Sequence, residues 1–191
     1  MRPYLEYREA RFIGWSAGPP RALIATRFAA TPQLHLVQMP GGARTQLTFF
    51  DDSINEAQFR PNDPHTVIFS KDTGGDENYQ IYRLDLRTRA TALLTDGKSR
   101  STNLVLSRSG RWLAYASNRR NGDDMDIWLD DLTDDAGPRL LIQMTGGGWT
   151  PTDFSHDEAQ LALYNEISAN QSEIAVASVK DGTKRLVELQ L

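Results

Sequence analysis

Phe59-Arg60-Pro61-Asn62-Asp63, followed by Thr66-Val67-Ile68-Phe69-Ser70, is the stretch on which the fold turns, because it returns twice along the chain. It recurs as Leu106-Ser107-Arg108-Ser109-Gly110 before Trp112-Leu113-Ala114-Tyr115-Ala116-Ser117, and as Phe154-Ser155-His156-Asp157-Glu158 before Gln160-Leu161-Ala162-Leu163-Tyr164, at spacings of 47 and 48 residues. A second set keeps the period, with offsets of 47, 46 and 47: Gln33-Leu34-His35-Leu36-Val37, Gln80-Ile81-Tyr82-Arg83-Leu84, Asp126-Ile127-Trp128-Leu129-Asp130 and Glu173-Ile174-Ala175-Val176-Ala177. Each block opens on a polar residue and runs on through apolar, β-branched and aromatic ones, the pattern of a short strand. Gln46-Leu47-Thr48, Leu93-Leu94-Thr95 and Gln143-Met144-Thr145 each close a unit. Strong turn formers separate the blocks, among them Pro40-Gly41-Gly42, Thr73-Gly74-Gly75-Asp76, Asn121-Gly122-Asp123-Asp124 and Lys180-Asp181-Gly182.

A period of this length decides architecture before any local reading does. Four short strands per unit, four units, tight polar turns and no sustained helical period predict an all-β propeller of about four blades, each of four antiparallel strands. The expected blades are 11–50, 53–96, 101–146 and 149–190, forming one propeller or part of one. They could close as a small ring or stand as an open arc of a larger propeller. A β-sandwich is the competing reading, but it has no reason to repeat at this interval.

Composition narrows the function. With 21 Lys+Arg against 25 Asp+Glu, the 191-residue chain carries a net charge of −4. It lacks the basic runs that bind phosphate backbones, so no nucleic-acid partner is expected. Arg119-Arg120 is an isolated pair in a turn. No apolar stretch is long enough to span a membrane, and Met1-Arg2-Pro3-Tyr4-Leu5-Glu6 does not open a signal peptide, so no membrane partner is expected either. A soluble chain is expected, of unknown compartment. The absence of cysteine excludes thiolate chemistry and disulfides. Three scattered histidines make a metal cluster improbable, and no cofactor is expected.

The texts of the second and third blades carry a resemblance. Phe69-Ser70-Lys71-Asp72-Thr73-Gly74-Gly75-Asp76-Glu77-Asn78-Tyr79-Gln80-Ile81-Tyr82-Arg83-Leu84-Asp85, preceded by Gly41-Gly42-Ala43-Arg44-Thr45-Gln46-Leu47-Thr48, resembles the N-terminal propeller of prolyl oligopeptidase family serine peptidases. So do Leu94-Thr95-Asp96-Gly97-Lys98-Ser99-Arg100, Ser117-Asn118-Arg119-Arg120-Asn121-Gly122, and Thr145-Gly146-Gly147-Gly148-Trp149 with Asp153-Phe154-Ser155. The resemblance runs from about Arg11 to Leu191, and single blade motifs are similar to TolB-like and WD-like repeats generally. It implies a propeller that gates and binds peptides beside a C-terminal α/β-hydrolase domain. That domain supplies the serine, aspartate and histidine in the family, so the resemblance transfers no catalytic residue to this chain. The alternative is a freestanding TolB-like propeller acting as a protein-interaction module.

Gly14-Trp15-Ser16-Ala17-Gly18 matches the G-x-S-x-G nucleophile elbow, whose serine must stand at a strand-to-helix turn. Pro19-Pro20 makes a poor helix start, and the segment aligns with the turn Leu106–Gly110, so Ser16 is expected to be a turn residue and no catalytic residue is assigned. Asp72, Asp76 and Glu77, and likewise Asp123, Asp124 and Asp126, fall short of a calcium loop. They are expected to be solvated carboxylates guarding strand edges. His35, His65 and His156 receive no role. Trp112, Tyr115, Trp128 and Tyr164 are expected to pack between blades. Trp149, less constrained by the repeat, is the one candidate for a rim contact with substrate. In an open arc, apolar surface around Leu23, Ile24, Leu34 and Leu36 and around Leu161, Leu163, Ile174 and Val176 would lack a partner, predicting self-association.

Overall fold

The computed structural model describes residues 9–28, 30–146 and 148–187. Met1–Glu6, Gly147 and the expected end of the last blade at 190 lie outside them. The chain forms sixteen strands and, among the described residues, no helix. These make four antiparallel sheets of four consecutive strands, a propeller-like arrangement as the repeat predicts. The first holds β1 (Ala10–Trp15), β2 (Ala22–Thr26), β3 (Gln33–Val37) and β4 (Arg44–Gln46). The second holds β5 (Ile54–Phe59), β6 (Thr66–Lys71), β7 (Gln80–Asp85) and β8 (Thr91–Leu93). The third holds β9 (Ser101–Leu106), β10 (Trp112–Ser117), β11 (Asp126–Asp131) and β12 (Arg139–Ile142). The fourth holds β13 (Trp149–Phe154), β14 (Gln160–Ser168), β15 (Gln171–Ser178) and β16 (Lys184–Leu186).

Two devices recur from sheet to sheet. Every first strand gains one residue on its neighbour, with register breaks at Phe12/Gly14, Ile54/Glu56, Ala114/Ala116 and Pro151/Asp153. Such bulges bend a strand and raise its twist, and one of them accommodates Pro151, which cannot donate to a regular ladder. Every fourth strand is only three or four residues long, which limits the unpaired backbone a sheet edge exposes.

Two compact units result, one comprising residues up to Glu77 with Ile81–Ala92, the other Asn78–Gln80 with residues from Leu93 onward. In the first unit, β5 packs against β1 and β2. Leu23, Leu34, Leu36, Leu47, Ile54, Phe59, Val67, Phe69 and Leu84 share one core. The rings of Phe69 and Tyr82 stack at 5.2 Å, and Phe50 lies 5.8 Å from Phe69. In the second unit β13 packs against β9, β10 and β11. Its core sets small residues, Ala114, Ala116, Ala175 and Ala177, beside Ile127, Leu129, Leu161, Leu163, Phe154 and Trp149.

These cores correct the expectation about open faces. Leu23, Leu34 and Leu36 point into the first unit's core, and Leu161 and Leu163 into the second's, because side chains alternate along a strand and the larger aliphatic rows face the neighbouring sheet. Among the described residues the large apolar side chains left exposed are Phe12 and Trp15 on β1, Phe28, Met39 and Phe49 in the loops of the first unit, Leu93 on β8, Leu140 on β12, and Tyr164, Ile167, Ile174 and Leu186 on the fourth sheet.

Candidate functional site

Ser16 sits in the β1–β2 turn, buried, its Oγ donating to Pro19 O at 2.8 Å and accepting from Arg21 N at 3.2 Å. Both lone pair and proton are engaged in closing the turn, as at Ser107 and Ser155, whose hydroxyls accept from Trp112 N and Gln160 N.

Asp76, Glu77 and Asp123 are exposed, as solvated carboxylates would be, and Asp126 departs from that expectation. Asp126 is a fully buried carboxylate, not a solvated one. Its Oδ2 accepts from Arg120 Nε at 2.7 Å and its Oδ1 from Met144 N at 2.8 Å. Asp124 binds the same guanidinium at 2.9 Å and Gly146 N at 3.0 Å, bonds that with Asn121 hold its carboxyl below the usual range. The pair therefore fastens the link from the third sheet to the fourth. Asp72 accepts from Glu77 N at 3.2 Å within its own turn. Among the described residues no three His, Asp or Glu side chains converge as metal ligands.

His35 is buried on β3, where burial lowers its pKa, and its Nδ1 lies 3.0 Å from Gln33 O. The His65 amide donates to Asp63 Oδ1, while the His156 ring lies 2.8 Å from Arg108 Nη1. Tyr115 is fully buried and desolvation pushes its hydroxyl pKa up. Trp128 carries Arg119 on its ring at 5.0 Å, and Tyr164 remains partly exposed.

Trp149 opens β13 and is 92% removed from solvent, with Lys184 Nζ 4.1 Å from its ring centroid. It also walls a notch of about 240 Å³ with Arg100, Thr102, Ala116, Met125, Gly148 and Thr150. The notch forms where the first strands of the third and fourth sheets begin. Gly148 adopts φ +100, and a Cβ there would come within 2.4 Å of Asn165 Oδ1, so this approach to Trp149 requires glycine.

The first unit has a notch of about 440 Å³ at the equivalent place, lined by Glu9, Arg11, Ala25, Arg27, Pro32 and Ile54. The equivalence follows from register. Arg11 pairs with Ala25 as Thr102 pairs with Ala116. Pro32 and Met125 each precede a third strand, and Ile54 and Trp149 each open the next sheet. Glu9 and Arg100 immediately precede β1 and β9. The space is thus a product of the blade geometry, and side chains alone distinguish the two sites. Sequence reading singled out Trp149 but missed Arg100, whose signal was its place in the repeat.

No protein-family profile and no curated protein sequence matches the chain. Solved structures do match in fold. A putative TolB from Agrobacterium tumefaciens superposes with a TM-score of 0.65 at 17% identity, over 87% of this chain and 60% of that one. TolB from Acinetobacter baumannii gives 0.63 at 19%, over 94% and 52%. A structure from a study of two prolyl endopeptidases gives 0.72 at 13%, over 95% and 30%. The chain spans at most three-fifths of the length of these proteins. Identities this low establish fold and nothing finer: the chain has a TolB-like propeller fold, one that prolyl endopeptidases also contain.

Proposed function

We propose that this chain is propeller material of a prolyl oligopeptidase-like serine peptidase, admitting and holding peptides beside an α/β-hydrolase domain that supplies the catalytic residues. The observation that carries the reading is the prolyl endopeptidase match over 95% of this chain, joined to the blade texts that resemble that family. Peptide substrate and hydrolase domain are accordingly the proposed partners, with nucleic acid and membrane outside the reading. No helix among the described residues is long and apolar enough to cross a membrane.

The second reading, a TolB-like interaction module, is favoured by the two TolB structures. Titrating the chain with short proline-containing peptides, observed by NMR, separates them. Shifts confined to one face of the sheets support the peptidase reading; their absence, with capture of a folded protein instead, supports the other. On the first reading the chain alone turns over no prolyl ester or amide. Turnover that disappears in Ser16→Ala would overturn this, since that hydroxyl is already engaged in its turn.

Self-association belongs to the same proposal. Phe12 and Trp15, their rings 5.4 Å apart, and Phe28 are roughly half exposed in the first unit, as are Ile167, Ile174 and Leu186 on the fourth sheet, and exposed apolar surface promotes association. Light scattering should show mass rising with concentration. A monomer at high concentration would count against it.

A further inference from the structure

We infer that the second unit's notch binds the carboxylate of a peptide, with Arg100 as its partner; this rests on the peptide-binding reading above. The backbone of Arg100 is fixed by Asn118, whose Oδ1 accepts from Arg100 N at 2.9 Å and whose N donates to Arg100 O at 3.2 Å. Its side chain is exposed and makes no ion pair or hydrogen bond with any described residue. The neighbouring cations are differently placed: Arg119 lies 3.8 Å from Asp96, and Arg120 is held by Asp124 and Asp126. In a chain of net charge −4, Arg100 is a positioned cation that the local carboxylates leave unpaired.

The walls fit an anion carried on an apolar residue. Thr102 and Thr150 contribute hydroxyls; Ala116, Met125 and Trp149 contribute apolar surface, and among the described residues no carboxylate lines the space. In the first unit's notch the position of Arg100 is taken by Glu9, so that site carries a carboxylate of its own in its lining with Arg11 and Arg27. In the second unit that carboxylate must come with the ligand. About 240 Å³ falls below the ~300–1,000 Å³ of drug-sized pockets, which points to one residue of a longer chain. A guanidinium fork matches a carboxylate through two parallel hydrogen bonds and balances its single charge. A phosphoryl group of about −2 would stay half compensated.

The test uses the full chain and three peptides: Ala-Ala-Pro-Leu with a free C-terminus, the same peptide amidated, and amidated Ala-Ala-Pro-Glu. Binding is followed by the indole and methionine methyl signals of Trp149 and Met125. The free acid should bind roughly tenfold or more tightly than its amide, the scale of a charge-assisted hydrogen bond. Arg100→Gln should abolish that preference without further weakening the amide, and Arg11→Gln in the other notch should leave it intact. The amidated Glu peptide matching the free acid would assign the site to side-chain carboxylates; matching the simple amide, it would assign it to chain ends. Either sharpens the proposal. Acid and amide binding equally, Arg100→Gln leaving the preference unchanged, or inorganic phosphate displacing the acid at equal concentration would overturn it while leaving peptide binding in place. No binding by any peptide would overturn both.

Discussion

In the first unit the side chain that opens β3, Gln33, reaches the segment leading to the next sheet. Its Nε2 donates to Phe50 O and Asp52 O, both at 2.9 Å, and its Oε1 accepts from Phe50 N at 3.0 Å. Gln80, opening β7, does the same for the segment 95–99, donating to Ser99 O and accepting from Gly97 N and Thr95 Oγ1. The third sheet's counterpart, opening β11, is Asp126. A carboxylate can only accept. It takes the Met144 amide, and the donor half of the task passes to Arg120, whose Nη2 reaches Met144 O at 3.1 Å. One amide side chain and one buried ion pair thus satisfy the same backbone groups. At the fourth equivalent position, Glu173 accepts from Asn165 at 3.2 Å. The comparison teaches that the first three sheets share a hydrogen-bonding task at this position, not a residue, and that of the three only the third sheet's solution depends on charge.

The largest effect should come from breaking the charged latch. Asp126→Ala leaves the buried Met144 amide without its acceptor and the Arg120 guanidinium with Asp124 as its one carboxylate, so the loss should lie at the upper end for an unsatisfied buried group, about 3 kcal/mol. Urea unfolding followed through Trp112, Trp128 and Trp149, all in the second unit, should show the loss, while Trp15 reports a smaller change in the first. To sharpen the comparison, Asp126→Gln combined with Arg120→Ala rebuilds the first unit's latch in the second and should recover most of the loss. A double variant no better than Asp126→Ala would show that the two latches are not equivalent.

Gln33→Ala should cost less, roughly 1–3 kcal/mol, because it leaves neutral backbone groups unsatisfied and no stranded charge. Hydrogen exchange at the Phe50 amide is the direct readout. Protection unchanged there would mean that the bond is not what holds the segment.

The period, the four-strand unit and the strand positions were legible in the sequence, since each depends on apolar patterning within a few residues. The latches were only half legible. Gln33, Gln80, Asp126 and Glu173 stood out as the polar residues opening each second-set block, but the first three find partners 15–19 residues onward, Asp126 also in the preceding turn, and Glu173 finds its partner across the strand pair. Arg120 read as one of a pair of turn cations for the same reason. Asp126 was misread as solvated because nothing local signals that a carboxylate at a strand start turns inward. The notch was visible through Trp149, an outlier to the repeat, and hidden at Arg100, whose significance emerges only when strand register makes it the positional equivalent of Glu9 in the first unit.

The smallest effect concerns the residue that ends the third strand in each unit. Asp85, ending β7, is capped by its own turn, accepting from Arg87 N at 2.7 Å and Thr88 N at 3.3 Å, and these bonds lower its pKa. Asp131, ending β11, accepts from Arg111 Nε at 2.9 Å and Nη2 at 2.7 Å, with Thr133 on its other oxygen. Arg111 is the chief cause of a carboxyl pKa lowered to about 2 from 3.8. A depressed folded-state pKa means that the stabilisation is present above the unfolded value and fades as pH falls from about 4 toward 2. Arg111 is half exposed, so solvent screening keeps the stability change small. The informative quantity is the titration itself. In Arg111→Gln the Asp131 carboxyl carbon should titrate closer to 3.8, while Asp85 in the first unit keeps its wild-type midpoint. If Asp131 kept its low midpoint without the guanidinium, the Thr133 bonds would be sufficient, and the two units would cap this strand end by the same backbone-centred means.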